Sequence, residues 1–187
     1  MNKLIDYSLY GDRAVLVLDD GFEISASSIN KHSEELFVLL KPHSLVFCLC
    51  NNEPGAILGY LTFLDRGIVP VMLDASKDME LMNRLLAIYK PSYIWLPTSV
   101  YSPVYGKIEY SAFNYTLTSY SNDPIELHSE LAVLLTTSGS TGSPKLVRLS
   151  YDNIRSNAES IAEYLNITVD ERPVTSLPMY YSYGLSV

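Results

Sequence analysis

Short, uninterrupted apolar runs separated by amphipathic stretches constrain this chain more than any other feature. Ser44 to Cys50, Ile68 to Leu73, Ser92 to Leu96 and Leu131 to Leu135 are each of strand length and apolar without alternation. A strand buried on both faces requires that pattern, and strands of parallel sheets show it. Between the runs lie Ala56 to Leu64, behind Pro54 as a first helical residue, and Asp78 to Tyr89, with Met79, Met82, Leu85, Leu86 and Tyr89 on one stripe. An earlier segment opens at Ile24 and carries Ile29, Leu36, Leu39 and Leu40 at helical spacing after a cap at Ser25 or Ser27, and it stops at Lys41-Pro42-His43. Strands alternating with helices predict βαβ units, hence an α/β fold: a doubly wound, mostly parallel sheet flanked by helices.

Three stretches follow along the chain. Residues 1–97 hold the βαβ units. Residues 98–130 form a connection rich in Tyr and Ser, with Tyr101, Tyr105, Tyr110, Tyr115 and Tyr120 at near-regular intervals. An aromatic binding surface and a set of edge strands with packed rings and wet hydroxyls are both readings of those tyrosines, and the second is the simpler. Residues 131–187 begin with the Leu131 strand and continue to a short strand, Leu146 to Leu149. A helix capped by Ser150 follows, with Ile154, Ala158, Ile161, Ala162 and Leu165 on its stripe.

Composition narrows the function. The chain has 187 residues, 48% of them hydrophobic and 18% charged, which is material for a real core and excludes intrinsic disorder. Its formal charge of −8 argues against a general nucleic-acid binder, which needs a basic face. Cys48 and Cys50 lie inside an apolar strand run and read as small buried hydrophobes, not as a disulfide framework or a zinc pair. No apolar stretch reaches the roughly 20 residues of a membrane helix, and the acidic first 20 residues are unlike a signal peptide. A cytoplasmic protein with no membrane or nucleic-acid partner is expected.

One segment carries chemistry. From Thr136 to Lys145 there are six hydroxyls, two glycines and one lysine. Glycines let successive backbone N–H groups face one concavity suited to an anion, hydroxyls add donors, and lysine adds a mobile charge. Between Leu131 and Tyr151 there is no Asp or Glu, and Lys145 with Arg148 gives that stretch a charge of +2. Charge-assisted hydrogen bonds of ~1.5–3 kcal/mol each would hold a polyphosphate there. A Walker loop is excluded, because it needs Gly before the lysine and Ser or Thr after it, where this chain has Pro144 and Leu146.

The run Thr137-Ser138-Gly139-Ser140-Thr141-Gly142-Ser143-Pro144-Lys145 resembles the signature loop of the adenylate-forming superfamily, which includes acyl-CoA synthetases, peptide-synthetase adenylation domains and luciferases. Gly67 to Asp74 is similar to that superfamily's earlier glycine-to-proline segment, and Leu177 to Leu185 to its next motif. The resemblance spans about Ile24 to Val187 and implies the N-terminal subdomain of an acyl-adenylate synthetase. It implies ATP and Mg²⁺ as cofactors, a small-molecule carboxylate as substrate, and CoA or a phosphopantetheine carrier as thiol acceptor. Thr137, Ser138, Gly139, Ser140, Thr141 and Gly142 would wrap the β- and γ-phosphates. Lys145 would neutralise departing pyrophosphate, the Thr141 hydroxyl would lie near Mg²⁺, and Tyr181 would line the carboxylate pocket.

Departures from the pattern are Leu146 for Gly, Tyr151 for a common His, and Tyr181 for the His often beside the carboxylate. A phenol of pKa about 10 does not titrate near neutrality as imidazole does, so Tyr181 would act by shape and hydrogen bonding. The superfamily's adenine-, ribose- and Mg²⁺-binding acidic groups and its C-terminal-domain lysine would all fall after Val187. The chain is therefore expected to be an N-terminal fragment that does not complete adenylation alone, partners with the missing C-terminal part, and self-associates. Three alternatives stay open at this level: an amino-acid adenylation domain of the peptide-synthetase type, a non-catalytic phosphate- or nucleotide-binding module, and an interaction domain built on the tyrosines.

Overall fold

A computed structural model describes residues 6–76, 78–123, 125–136 and 146–186. The elements in order are β1 (Ala14–Val17), β2 (Glu23–Ser25), α1 (Ala26–Phe37), β3 (Leu45–Cys50), α2 (Pro54–Asp65), β4 (Val69–Asp74), α3 (Met79–Tyr89) and β5 (Tyr93–Pro97). They continue with β6 (Lys107–Ala112), β7 (Tyr115–Ser119), β8 (Leu131–Thr136), β9 (Leu146–Ser150), α4 (Tyr151–Tyr164) and α5 (Ser182–Ser186).

Seven strands form one sheet in the order β6-β7-β5-β3-β4-β8-β9. The centre, β5-β3-β4-β8, is parallel, with Val46 opposite both Pro70 and Tyr93, and Val71 opposite Leu134. Both flanks are antiparallel additions, β7 and β6 beyond β5 and β9 beyond β8. The sheet is thus mixed, with the expected parallel, helix-flanked strands at its heart. The division of labour is physical. Parallel strands need long crossovers, which α2 and α3 supply, whereas β6–β7 and β8–β9 are hairpins.

Alternate residues of β3 feed two cores. Val46, Cys48 and Cys50 pack with Leu58 and Phe63 of α2, while Leu45, Phe47 and Leu49 pack with Met82, Leu85 and Leu86 of α3. The helices after β3 and β4 therefore cover opposite faces. Both cysteines are free and buried, as small core residues.

Helix starts follow their caps. Ser25, the first of the two candidate caps, accepts a hydrogen bond from the Ser28 amide and stays extended, so the helix begins at Ala26, and Ile24 belongs to β2. Ser150 and Asn153 form a reciprocal capping box at the start of α4. The tyrosine-rich connection becomes β6 and β7. Tyr105 and Tyr115 are buried, and the Tyr115 hydroxyl accepts the Asn51 N–H at 2.9 Å.

Candidate functional site

In doubly wound sheets, ligands lie beyond the carboxyl ends of neighbouring strands whose following helices diverge to opposite faces. Here those strands are β3 and β4. The residues at that edge are Asn51 and Asn52 after β3, Asp74 at the end of β4, and Thr136 at the end of β8.

One segment from far along the chain is fastened beyond the ends of β3 and β8. The Asn52 side chain donates from Nδ2 to the Leu177 carbonyl at 2.8 Å and accepts at Oδ1 from the Met179 N–H at 3.1 Å. The Asp74 carboxylate accepts from the Ser76 N–H at 2.9 Å. The negative charge of Asp74 also reaches the Tyr180 hydroxyl and is the main reason its pKa is raised. Thr136 donates from Oγ1 to the Tyr180 carbonyl at 3.4 Å, and its backbone bridges in parallel to Tyr181. Met179 is the apolar anchor, buried in the α2-side core.

Tyr181, a residue expected at the substrate pocket, therefore stands directly beside the end of β8, with 44% of its surface open to solvent. The glycine that follows in the motif has a steric cause. A Cβ on Gly184 would lie 2.5 Å from the Pro178 carbonyl oxygen, so only glycine permits α5 to fold back on its own entry.

Thr137, Ser138, Gly139, Ser140, Thr141, Gly142 and Lys145, expected from the sequence to bind phosphate, lie outside the described residues. Their flanks are described: Thr136 pairs with Leu146 across β8 and β9. Both ends of the hydroxyl-rich run are thus fixed at the carboxyl edge of the sheet, adjacent to Tyr181. Among the described residues no cluster of His, Cys, Asp and Glu could hold a metal ion, and no helix is long and apolar enough to cross a membrane.

Tyr151 does not reach this edge. Its hydroxyl donates to the Leu64 carbonyl at 3.0 Å, tying the start of α4 to the last turn of α2, and burial raises its pKa. The sequence reading did not single out Asn52 or Tyr180. The hydrogen-bond partners of Asn52 lie more than a hundred residues away.

The chain belongs to the AMP-binding enzyme family, which it matches over residues 10–187. Among solved structures it is similar to o-succinylbenzoate coenzyme A synthetase from Bacillus subtilis in complex with AMP. The TM-score is 0.75 at 19% identity, covering 99% of this chain and 52% of that one. It is also similar to apo MatB from Rhodopseudomonas palustris, with TM-score 0.70 at 18% identity, covering 93% of this chain and 39% of that one. Among curated proteins it is 26% identical over 170 residues to a D-alanine--D-alanyl carrier protein ligase of Streptococcus agalactiae serotype V, covering 88% of this chain and 33% of that protein. A shorter match, 37% over 59 residues, is to a 3,4-dihydroxybenzoate--[aryl-carrier protein] ligase of Bacillus anthracis, covering 32% of this chain and 14% of that ligase. The chain thus spans about half the length of that synthetase and at most a third of these ligases.

Proposed function

We propose that this chain is the phosphate-gripping half of an ATP-dependent carboxylate-activating ligase. A carboxylate oxygen attacks the α-phosphorus of ATP, the bond from that phosphorus to the β-phosphate oxygen breaks, and acyl-adenylate and pyrophosphate result. A thiol, from CoA or a carrier protein's phosphopantetheine, then displaces AMP. The observation that carries this reading is the fixing of both ends of the hydroxyl-rich run, Thr136 and Leu146, at the carboxyl edge of the parallel strands beside Tyr181.

The donor set suits the task. Leaving pyrophosphate accumulates negative charge, and donors held in place before the reaction stabilise that charge without reorganising. Thr137, Ser138, Gly139, Ser140, Thr141 and Gly142 supply N–H and O–H donors for the β- and γ-phosphates, and Lys145 supplies a mobile cation. Mg²⁺ would arrive with the triphosphate, held mainly by phosphate oxygens and water with the Thr141 hydroxyl alongside, and would neutralise charge on the transferred group. Tyr181 borders the carboxylate by shape and hydrogen bonding. The intended setting is cytoplasmic, without nucleic acid or membrane, and the remaining half of the relatives' length supplies the groups that complete adenylation.

Pyrophosphate and Mg·ATP titrations test the grip. Binding should weaken about tenfold or more in Lys145→Ala, since one charge-assisted contact is worth ~1.5–3 kcal/mol. Equal affinity in the variant would refute the assignment. Carboxylate-dependent pyrophosphate exchange should be absent from the 187-residue chain alone, and robust turnover by it would refute the division into halves.

A further inference from the structure

The segment carrying Tyr181 has little of its own to hold it. Residues 170–178 contain no helix or strand, and most of their side chains are exposed. What fixes the segment is one amide side chain from a different part of the chain. Asn52 sits in the β3–α2 turn, 125 residues from Leu177. It reads the passing backbone from both sides, donating to the Leu177 carbonyl and, at 3.5 Å, to that of Thr175, and accepting the Met179 N–H. A primary amide donates and accepts in one plane from two atoms carried on a single carbon. Its own place is set from behind, because the preceding Asn51 N–H is held by the hydroxyl of Tyr115, a fully buried side chain.

We propose that Asn52 is a positioning residue: by clamping the backbone at Leu177 and Met179 it sets where Tyr181 stands against the end of β8. The mechanical sequence is short. Met179 is pinned by Asn52 and by burial, Tyr180 is held at its carbonyl by Thr136, and Tyr181 follows with its backbone bridged to Thr136. Among the described residues the hydrogen bonds of the Asn52 side chain all go to backbone at Thr175, Leu177 and Met179, so it acts through the segment. Its consequence for ligand binding rests on the functional reading above. Its effect on Tyr181 does not.

The two are separable by experiment on the 187-residue chain. With 3-fluorotyrosine placed at position 181, and separately at Tyr101 as a remote reference, ¹⁹F spectra are compared for the parent, Asn52→Ala and Asn52→Asp. Alanine removes both functions of the amide; aspartate keeps the acceptor for the Met179 N–H and loses the donor to Leu177. The Tyr181 resonance should shift and broaden in the order parent, aspartate, alanine, with the Tyr101 resonance fixed and the Met179 amide exchanging at least tenfold faster in Asn52→Ala. An unmoved Tyr181 resonance would overturn the proposal, and so would equal movement at Tyr101, which would mark general loosening. Mg·ATP titrated into the same samples should move the Tyr181 signal, with affinity about fivefold weaker in Asn52→Ala. If Mg·ATP moves nothing even in the parent, the functional reading falls, and the comparison of variants still decides the positioning role.

Discussion

Trp95 shows how closely this core is fitted. Its ring is sealed from water, and its indole N–H donates to the Gly55 carbonyl on α2 at 2.8 Å. One turn along, Gly59 brings the helix so near that a Cβ there would collide with the indole. Gly59→Ala should therefore destabilise by about 1–3 kcal/mol through overpacking, seen as a lower urea midpoint with an unchanged slope. Tyrosine burial has a second consequence. Burial pushes Tyr7 and Tyr60 up to about 12, with the Asp65 charge adding to the effect at Tyr7. The fold thus favours their neutral form over that in the unfolded chain, where tyrosine titrates near roughly 10. Their contribution is full below that pH and is lost as pH rises from 10 towards 12. Urea midpoints should fall across that window, and Tyr60→Phe should fall less steeply; parallel curves would contradict the assignment.

Among the elements, α4 is the least committed to the core. Its capping box starts it cleanly, yet none of its described residues is buried, and Tyr164 at its end is 84% exposed. Removing the cap with Ser150→Ala should cost about 1 kcal/mol of helix stability. Because so little packing depends on α4, that loss should appear as faster amide exchange across 151–164 and hardly in the global unfolding midpoint. Elements whose signals are local were legible beforehand. β3, β4, β5 and β8 announced themselves by continuous apolar runs, α2 by Pro54, and α4 by Ser150. The β1–β2 hairpin was not, although Asp20-Gly21 is a turn signal and Gly21 adopts φ +82°. Its second strand, only three residues long, is too short to display a period. The start of α1 was legible in Ser25, one of two candidate caps, whereas Ile24, apolar and well spaced for a helix, is buried from a strand instead.

The molecule as a whole carries exposed apolar side chains in the stretch that follows α4. Leu165, Ile167, Val169 and Val174 are all exposed, and beyond β9 the sheet has no further strand among the described residues. Surfaces of that kind pair with something. The chain alone should self-associate, and light scattering at high concentration should show dimers or larger species that Tyr164→Lys with Leu165→Lys returns towards monomer. A monomeric parent chain would count against this. By itself the sequence determined that strands and helices alternate and that hydroxyls, glycines and a lysine gather after β8. Apolar period, helix caps and loop composition are properties of neighbouring residues. Tertiary structure alone decided the strand order, the antiparallel flanks, the place of Tyr151 under α2 and the clamp of Asn52 on Leu177. Each of these joins residues far apart in the chain, and which distant groups meet is settled by packing the entire core, not by any window of residues.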